Sequence, residues 1–523
     1  MVRTHHAQRA ARIVRGPHGP RSQARWPFLL AVVMLAVAAV LSSAPPGSGA
    51  TVYDTRDAAL RREIPKVFAD PRVTASTARV GAVVRDASTR TSIYLRGADT
   101  PLAPASTQKT FTAAAALSRL GSGYRWPTDV YAAAPVGAGG VVSGRLYLRG
   151  SGDPTLREQD LTSLASALKS KGVKRITGDV VADASAFDEV RYNPYWSSSY
   201  ASSYYAAQVS ALTLSPNTDY DAGTIIVTAT PGASTTAVPR LTVTPASAAS
   251  HVRLVNRSRT SAAGTATTIA VSRAAGTNTI TVSGQVPVRH TATRRWVTVN
   301  DPALLAGRAL RTRLVAAGIR VDGTAVRGTT PRARTLLARH SSMTLGQLLV
   351  PFLKLSNNSH AEAITKTLGA RTGRPGSWAD GTAALRAYAV SIGIPVTGLR
   401  FVDGSGLARA NRLTPNQLAL LLDKAQRAPW WATFRAALPI AGVDPVRWQG
   451  GTLSSRMRGT AAAGNLRAKN GSLTGVTSLA GYVSGADGRR YVFVMMSNFR
   501  GASPRPVEDR LGVLLARWRM TDG

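Results

Sequence analysis

The pattern of apolar and polar positions predicts strands and a helix in the first part of the chain. Val80–Val84 and Ser92–Leu95 are short apolar runs separated by polar turn residues, which predicts an antiparallel hairpin. The Ala-rich segment Ser106–Leu120 follows Pro104 and precedes Gly121, and this punctuation is typical of a helix. The order strand, strand, helix is therefore predicted here.

The middle of the chain changes to short runs rich in Thr, Val and Ile, with turn residues between them. Such β-branched runs favour strands, so this region is predicted to be β-rich. The predicted strands are Thr224–Ala229, Arg240–Thr244, His251–Asn256, Thr267–Ser272 and Asn278–Val282.

After about residue 339, helical patterns dominate until two final apolar runs, Leu479–Ser484 and Arg490–Ser497. Asp487 and Gly488 join these runs, and Asp-Gly between apolar runs is a strong hairpin signal. Strands near both ends of the chain thus flank helices, which predicts one α/β domain with an insertion. The predicted parts are 51–125 and 336–523 for this domain and 126–335 for the inserted β-rich region.

Residues 1–50 form a predicted export signal. Six arginines precede an uncharged apolar run, Trp26–Leu41, and small residues follow up to Ala50. This order is typical of a secretory signal, so the mature chain is predicted to begin at Thr51 and to reach the cell envelope or the exterior. An uncleaved run would instead tether the protein to the cytoplasmic membrane.

Composition narrows the possible chemistry. A chain of 523 residues is long enough for two or three domains, and the absence of Cys excludes disulfides, thiolate metal sites and a Cys nucleophile. The net charge is +38, or +32 without the six N-terminal arginines, which predicts adhesion to anionic cell-wall polymers or lipid headgroups. Nucleic acid is disfavoured as a partner, because export removes the chain from it and no recognition motif is present.

One Ser–Lys pair is a candidate nucleophile and base. Ser106 and Lys109 are three residues apart on a predicted helix, which puts both on one face. A Ser hydroxyl needs an adjacent base to act as a nucleophile, and a Lys can be that base when its pKa is lowered. Lys is rare in this chain, with nine against 56 Arg, so a Lys on an apolar helix stands out. Ser166 and Lys169 share the spacing, but Lys169 lies among other lysines, as expected of a solvated face.

Two further polar segments carry candidate site residues. Ser356 and Asn358 lie between two predicted helices, where such side chains either point into a cleft or cap the next helix. The other segment ends a predicted strand and contains a cation followed by a Gly, which allows close backbone approach of a ligand. Its residues are Lys469, Asn470, Gly471 and Ser472.

The order Ser-x-x-Lys, Ser-x-Asn, Lys-x-Gly resembles the penicillin-recognising serine acyl-transferases. The long gap between Lys109 and Ser356 is similar to that of the low-molecular-mass class C penicillin-binding proteins, the D-alanyl-D-alanine carboxypeptidase/endopeptidase family. The resemblance extends from about Thr51 to Trp518. It implies an α/β fold in which an antiparallel sheet is flanked by helices, with a large β-rich inserted region. Further stretches that fit the family begin at Gly150, Gly178, Gln208, Phe352 and Asp403.

The resemblance implies a serine-type D-Ala-D-Ala carboxypeptidase, with or without endopeptidase activity, that uses no cofactor. It would act on peptidoglycan stem peptides through an acyl-enzyme and would be acylated by β-lactams. Ser106 would be the nucleophile, Lys109 its base and Ser356 the proton relay to the leaving group. Asn358 would bind the substrate's amide and orient Lys109. Lys469 would keep the site electropositive and lower the pKa of Lys109.

The third motif departs from the family, in which a Thr hydroxyl usually contacts the terminal carboxylate. Asn470 stands there instead, and its amide can share this task with the Ser472 hydroxyl. We expect weakened activity, and Asn470→Thr is then predicted to raise turnover. The backbone N–H groups of Ser106 and Ser472 would form the oxyanion hole.

A second departure lies in Trp196–Tyr205, which lacks the acidic residues that hold a diaminopimelate amine in some relatives. The aromatic residues of Tyr192–Tyr205 are either core and turn aromatics or a wall that faces the ligand.

Other classes of function explain less of the sequence. The main alternative is a non-catalytic or weakly active cell-wall-binding homologue, motivated by Asn470. A β-lactamase shares the acylating residues, but it is normally far shorter and needs a deacylating base that is not identifiable here. The absence of Gly-x-Ser-x-Gly disfavours an α/β-hydrolase, and the absence of a His-x-x-x-His pair disfavours a metal hydrolase, so no metal is expected.

Overall fold

A computed structural model of the chain describes residues 57–443 and 448–520, so the predicted export signal lies outside the described residues. No helix within these ranges is long and apolar enough to cross a membrane. The strands that they contain are β1 (Arg79–Asp86), β2 (Ser92–Arg96), β3 (Pro127–Ala132), β4 (Val141–Val142), β5 (Leu146–Gly150), β6 (Arg175–Ile176), β7 (Val180–Asp183), β8 (Thr224–Thr230), β9 (Arg240–Thr244), β10 (Arg253–Ser261), β11 (Ala270–Arg273), β12 (Thr279–Pro287), β13 (Thr293–Thr298), β14 (Arg320–Val321), β15 (Ala325–Arg327), β16 (Thr335–Ser341), β17 (Arg467–Leu473), β18 (Val476–Ser484) and β19 (Arg490–Asn498).

Two of the helices begin with a reciprocal pair of capping hydrogen bonds. Thr344 and Thr414 each accept a hydrogen bond from the backbone N–H of a Gln three residues later, and that Gln bonds back to the Thr N–H. The helices of the described ranges are α1 (Ala58–Val67), α2 (Pro71–Thr74), α3 (Lys109–Leu120), α4 (Glu158–Ser170), α5 (Pro302–Ala316), α6 (Leu345–Lys354), α7 (Asn358–Ala370), α8 (Trp378–Ser391), α9 (Pro415–Ala425), α10 (Trp431–Ala437) and α11 (Arg505–Arg517).

One five-stranded sheet combines strands from both ends of the chain. Its order is β17-β18-β19-β1-β2, and each neighbouring pair is antiparallel. Both predicted hairpins are confirmed: β1 pairs with β2, and β18 pairs with β19 across the turn at Asp487 and Gly488. Gly488 has a φ of 81°, a conformation that favours Gly in such a turn.

Helices cover both faces of this sheet, as the alternation of side chains along a strand requires. Val83 of β1 is fully buried in a cluster with residues of α3, α6, α7 and α9. Its neighbours Ala82 and Val84 are buried on the opposite face, in a cluster with residues of α1 and α11. The predicted antiparallel sheet flanked by helices is therefore confirmed.

The start of α3 differs from the prediction. Instead of a continuous helix from Ser106, the chain forms a 3-10 turn over Ala105–Gln108, and the α-helix begins at Lys109. Ala113 and the three alanines after it are fully buried, since small side chains let α6, α7, α8 and α9 all contact α3.

The strands of the other four sheets all lie between residues 127 and 341. The first and last of them, β3 and β16, pair antiparallel, so the chain leaves and re-enters the first sheet's region at adjacent points. The five predicted strands are confirmed as β8–β12; β9 has the predicted ends, and the other four have shifted ends. Helices α4 and α5 of this β-rich region were not predicted, although Leu161, Leu164 and Leu168 are buried at helical spacing.

Candidate active site

The predicted nucleophile and base are in direct contact at the start of α3. The Lys109 Nζ donates to Ser106 Oγ at 2.8 Å, to Asn358 Oδ1 at 2.6 Å and to the Ser405 carbonyl at 2.9 Å. An uncharged Lys amine in this position can take the Ser106 proton. The structure thus brings together Ser106, Lys109 and Asn358, which lie as far as 252 residues apart in the sequence.

Hydrogen bonds and backbone conformation fix the turn that carries Ser106. The Pro104 carbonyl accepts hydrogen bonds from the hydroxyls of Thr107 and Ser478, both at 2.7 Å. Ala105 has a φ of 48°, a left-handed conformation that non-Gly residues adopt only when their surroundings enforce it. These constraints direct the Ser106 hydroxyl toward Lys109.

Burial prepares Lys109 for the role of a base. Its side chain is fully buried, and desolvation lowers its pKa to about 7, against the opposing effect of the carboxyl groups of Glu362 and Asp403. The sequence predicted a contribution from Lys469 to this lowering, whereas the main cause in the structure is desolvation. Lys469 is itself fully buried, and its pKa falls well below its usual value through desolvation first and the charge of Lys109 second.

Two buried acidic residues lie beneath Lys109, and sequence reasoning gave them no role. Glu362 of α7 accepts from the backbone N–H of Gly404 and of Ser405, both at 2.9 Å. Asp403 accepts from the backbone N–H of Gly406 at 2.8 Å and of Ala408 at 2.7 Å. Together they fix the loop whose Ser405 carbonyl binds Lys109. Burial and the charge of Asp403 raise the pKa of Glu362 to about 7. The signal that could have revealed them is an acidic residue on an apolar helix and another before Gly-Ser-Gly.

The loop between α6 and α7 fulfils both of the roles considered for it, through different residues. Asn357 caps α7 by accepting from the His360 N–H. Asn358 binds Lys109 and donates from Nδ2 to the Tyr205 carbonyl at 2.7 Å. Ser356 has a left-handed backbone with a φ of 59° and lines the same cleft as Ser106.

Strand β17 lies against the turn that carries Ser106. A Cβ on Gly471 would lie 2.8 Å from both the Ser106 nitrogen and the Pro104 oxygen, so only Gly permits this approach. Ser472 follows at the wall of the cleft. Lys469 donates to the Asn470 carbonyl at 2.6 Å. Of the predicted third motif, Gly471 thus lies against the Ser106 turn and Ser472 lines the cleft, whereas Lys469 is fully buried.

The cleft in front of Ser106 has a volume of about 400 Å³. Tyr200, Tyr204 and Tyr205 line it, so part of the aromatic segment is the ligand-facing wall that was one of its two interpretations. Trp196 belongs to the core instead and donates to Asp403 Oδ2 at 2.9 Å. The second Ser-x-x-Lys pair is not part of the cleft, since Lys169 donates to the Gly318 carbonyl on an exposed surface.

Comparisons with known proteins identify the family of the chain. The sequence model of the D-Ala-D-Ala carboxypeptidase 3 (S13) family matches residues 60–518. The D-alanyl-D-alanine carboxypeptidase of Actinomadura sp. (strain R39) is 37% identical over 507 residues, which are 96% of this chain and 92% of that protein. Carboxypeptidase DacB of Mycolicibacterium smegmatis is 29% identical over 448 residues, 83% of this chain and 79% of its own.

A solved structure shows the same fold. Penicillin binding protein 4 (dacB) from Haemophilus influenzae has a TM-score of 0.72 at 24% identity and covers 87% of this chain and 100% of its own. Its complex with a β-lactam has a TM-score of 0.68. Since the family's sequence model spans nearly all the described residues, and a relative 37% identical covers most of the chain, the chain belongs to the D-Ala-D-Ala carboxypeptidase 3 (S13) family.

Proposed function

We propose that this chain is a serine-type D-Ala-D-Ala carboxypeptidase that cleaves peptidoglycan stem peptides through an acyl-enzyme on Ser106. The observation that carries the proposal is the contact of 2.8 Å between Lys109 Nζ and Ser106 Oγ, made by a fully buried Lys whose pKa is lowered to about 7. A Lys with that pKa is largely neutral at slightly alkaline pH, as a general base must be.

Acylation begins when neutral Lys109 removes the Ser106 proton and Ser106 Oγ attacks the carbonyl between the two D-alanines. The backbone N–H groups of Ser106 and Ser472 stabilise the negative charge on the carbonyl oxygen, and each such donor contributes about 10²–10³ in rate in a well-studied hydrolase. Gly471 makes this possible, since it lets β17 approach the Ser106 turn.

Collapse of the tetrahedral intermediate needs a proton on the leaving D-Ala nitrogen. Ser356 lines the cleft with Ser106 and passes a proton from the Lys109 ammonium to that nitrogen. Lys109 is then neutral again and activates the water that hydrolyses the acyl-enzyme. A β-lactam enters the same first step, and its opened ring stays attached to Ser106.

The direct test is release of D-Ala from a peptide that ends in D-Ala-D-Ala. We expect turnover by the wild type and none above background by Ser106→Ala, whereas Ser166→Ala, which removes the Ser of the other Ser-x-x-Lys pair, stays active. Wild-type inactivity would support the alternative of a cell-wall-binding homologue. A cross-linked dimeric peptide in the same assay measures endopeptidase activity.

Export is part of the proposal, because the substrate lies outside the cytoplasm. It is supported by the arginines and the apolar run of residues 1–50. Cell fractionation with an antibody tests it, and recovery of the protein only from the cytosol would contradict it.

A further inference from the structure

The side chain of Asn470 is held by a partner that the third motif does not include. The Thr452 hydroxyl donates to Asn470 Oδ1 at 2.6 Å. Thr452 belongs to the 3-10 turn Gly451–Leu453 and lines the cleft together with Ser106 and Ser472. Asn470, which stands where the family usually has a Thr, is therefore hydrogen-bonded to Thr452 at the wall of the cleft.

Two donors fix which way the carboxamide faces. Besides Thr452, the Lys469 Nζ lies 3.4 Å from Asn470 Oδ1. The Lys469 amine and the Thr452 hydroxyl are both donors, so they keep the oxygen on their side and leave the Nδ2 hydrogens on the other. Within the described ranges Nδ2 donates to no residue, and it is not one of the enclosed polar atoms, although the residue as a whole is only 9% exposed. An accessible amide donor without a protein partner can donate to an acceptor of a ligand.

The donors that line the cleft, and that could bind the substrate's carboxylate, are neutral groups. Among the described residues that line it, no Lys or Arg is present. The lysines nearest to Ser106, Lys109 and Lys469, are fully buried, and desolvation lowers the pKa of both. Hydrogen bonds to an anion in the cleft must therefore come from hydroxyl and amide groups.

Contacts with helix α6 fix the position of Thr452. Lys354, at the end of α6, donates to the Gln449 carbonyl at 2.7 Å. A Cβ on Gly451 would lie 2.9 Å from the Lys354 Cα, so this turn packs directly on α6. The same helix leads into Ser356, and Thr452 and Ser356 are thereby positioned by one element.

We propose that Thr452 is a positioning residue that orients Asn470, so that the Asn470 Nδ2 group donates to the terminal carboxylate of the substrate. This inference rests on the proposed function. It assigns the specificity for a free C-terminus to the Thr452 hydroxyl and the Asn470 carboxamide together. The family usually has a single Thr hydroxyl at the position of Asn470. It also reverses one expectation from the sequence: a Thr at position 470 ends one atom earlier and no longer reaches Thr452, so Asn470→Thr should bring no gain.

The experiment uses two ester substrates with the same acyl group, N-acyl-D-Ala-D-lactate and N-acyl-D-alanine methyl ester. Only the leaving group of the first carries a carboxylate. For Thr452→Val we expect kcat/KM to fall about 10-fold or more on the lactate ester, as for loss of a hydrogen bond to a charged group, and less than about 3-fold on the methyl ester. Thr452→Ser restores the hydroxyl and should restore the ratio of the two rates.

Two further variants keep the test decisive. Asn470→Asp keeps the acceptor for Thr452 but replaces the donor by a negative charge, so it should lose activity on the lactate ester selectively, even if Thr452→Val does not fold. Thr460→Val is the matched control in the same segment, because the Thr460 hydroxyl donates to the Met457 carbonyl at 2.7 Å and accepts from the Ala462 N–H at 3.3 Å but does not contact Asn470.

Equal losses on both esters, or a gain from Asn470→Thr, would overturn the inference. Failure of the wild type on both esters would instead contradict the proposed function.

Discussion

At the scale of single residues, the site consists of ordinary side chains in unusual surroundings. Lys109 becomes a base because it is fully buried and hydrogen-bonded to Ser106, Asn358 and the Ser405 carbonyl. The sequence predicted which residues meet, since the three motifs identify them by type and spacing. It could not predict why the Lys109 pKa falls, because desolvation depends on packing from several distant elements.

The first prediction concerns pH. Lys109 acts in its neutral form, and its pKa is lowered to about 7, so kcat/KM should fall as the pH decreases below about 7 and level off above it. Steady-state D-Ala release or the rate of penicillin acylation between pH 5 and about 9 measures this. If Lys109 had the usual Lys pKa, kcat/KM would instead keep rising over the whole of this pH range.

The second prediction concerns the acid beneath the base. The charge of Glu362 raises the pKa of Lys109, so Glu362→Gln should move the acidic limb of kcat/KM to lower pH. Asp423→Asn is the matched control, because Asp423 is also a buried acid, with a pKa raised to about 6, but does not act on Lys109. If the acidic limb of kcat/KM does not move in Glu362→Gln, or moves equally in Asp423→Asn, then Glu362 does not influence the base.

At the scale of elements, the site depends on the close approach of β17 to the turn before α3. The sequence predicted the hairpins and the region of α3, since alternation and punctuation are local signals. It missed the 3-10 turn at Ala105–Gln108, which arises from tertiary contacts such as the bond from Ser478 to the Pro104 carbonyl. It also missed Glu362 and Thr452, whose roles exist only once α7 and the Gly451–Leu453 turn are in place.

The third prediction tests this approach. In Gly471→Ala, the new Cβ would lie 2.8 Å from the Ser106 nitrogen, so β17 must move and the oxyanion hole opens. We expect acylation by penicillin to slow by about 10²–10³, the cost of one lost oxyanion donor. Gly123→Ala, where a Cβ meets nothing within 4 Å, should acylate at the wild-type rate. A normal acylation rate for Gly471→Ala would contradict the geometry.

At the scale of the whole molecule, the many Arg residues give the chain its positive charge, and some of them also form ion pairs that stabilise the fold. Arg313 pairs with Glu158, Arg327 with Asp301, and Arg339 with Asp129. These contacts join strands and helices within the β-rich region, so part of the local run of Arg is used internally. The sequence predicted the charge but could not predict these pairs, which join residues far apart in the chain.

The fourth prediction concerns the remaining charge. The chain from Thr51 onward carries +32, which is +38 without six arginines. It should bind isolated cell walls at low ionic strength and be released by about 0.5 M salt, because screening shortens the range of surface charges to a few ångströms. Walls stripped of anionic polymers are the control. Retention at high salt, or equal binding to stripped walls, would contradict adhesion through charge.

The central claim is that Ser106, activated by Lys109, forms the acyl-enzyme. Its most direct measurement is covalent labelling with a fluorescent penicillin, followed by mass spectrometry of the labelled peptide. We predict one adduct on Ser106 in the wild type, the same adduct in Ser166→Ala, and no adduct in Ser106→Ala. A wild type that takes up no label, or a Ser106→Ala variant that is labelled as fast as the wild type, would contradict the claim.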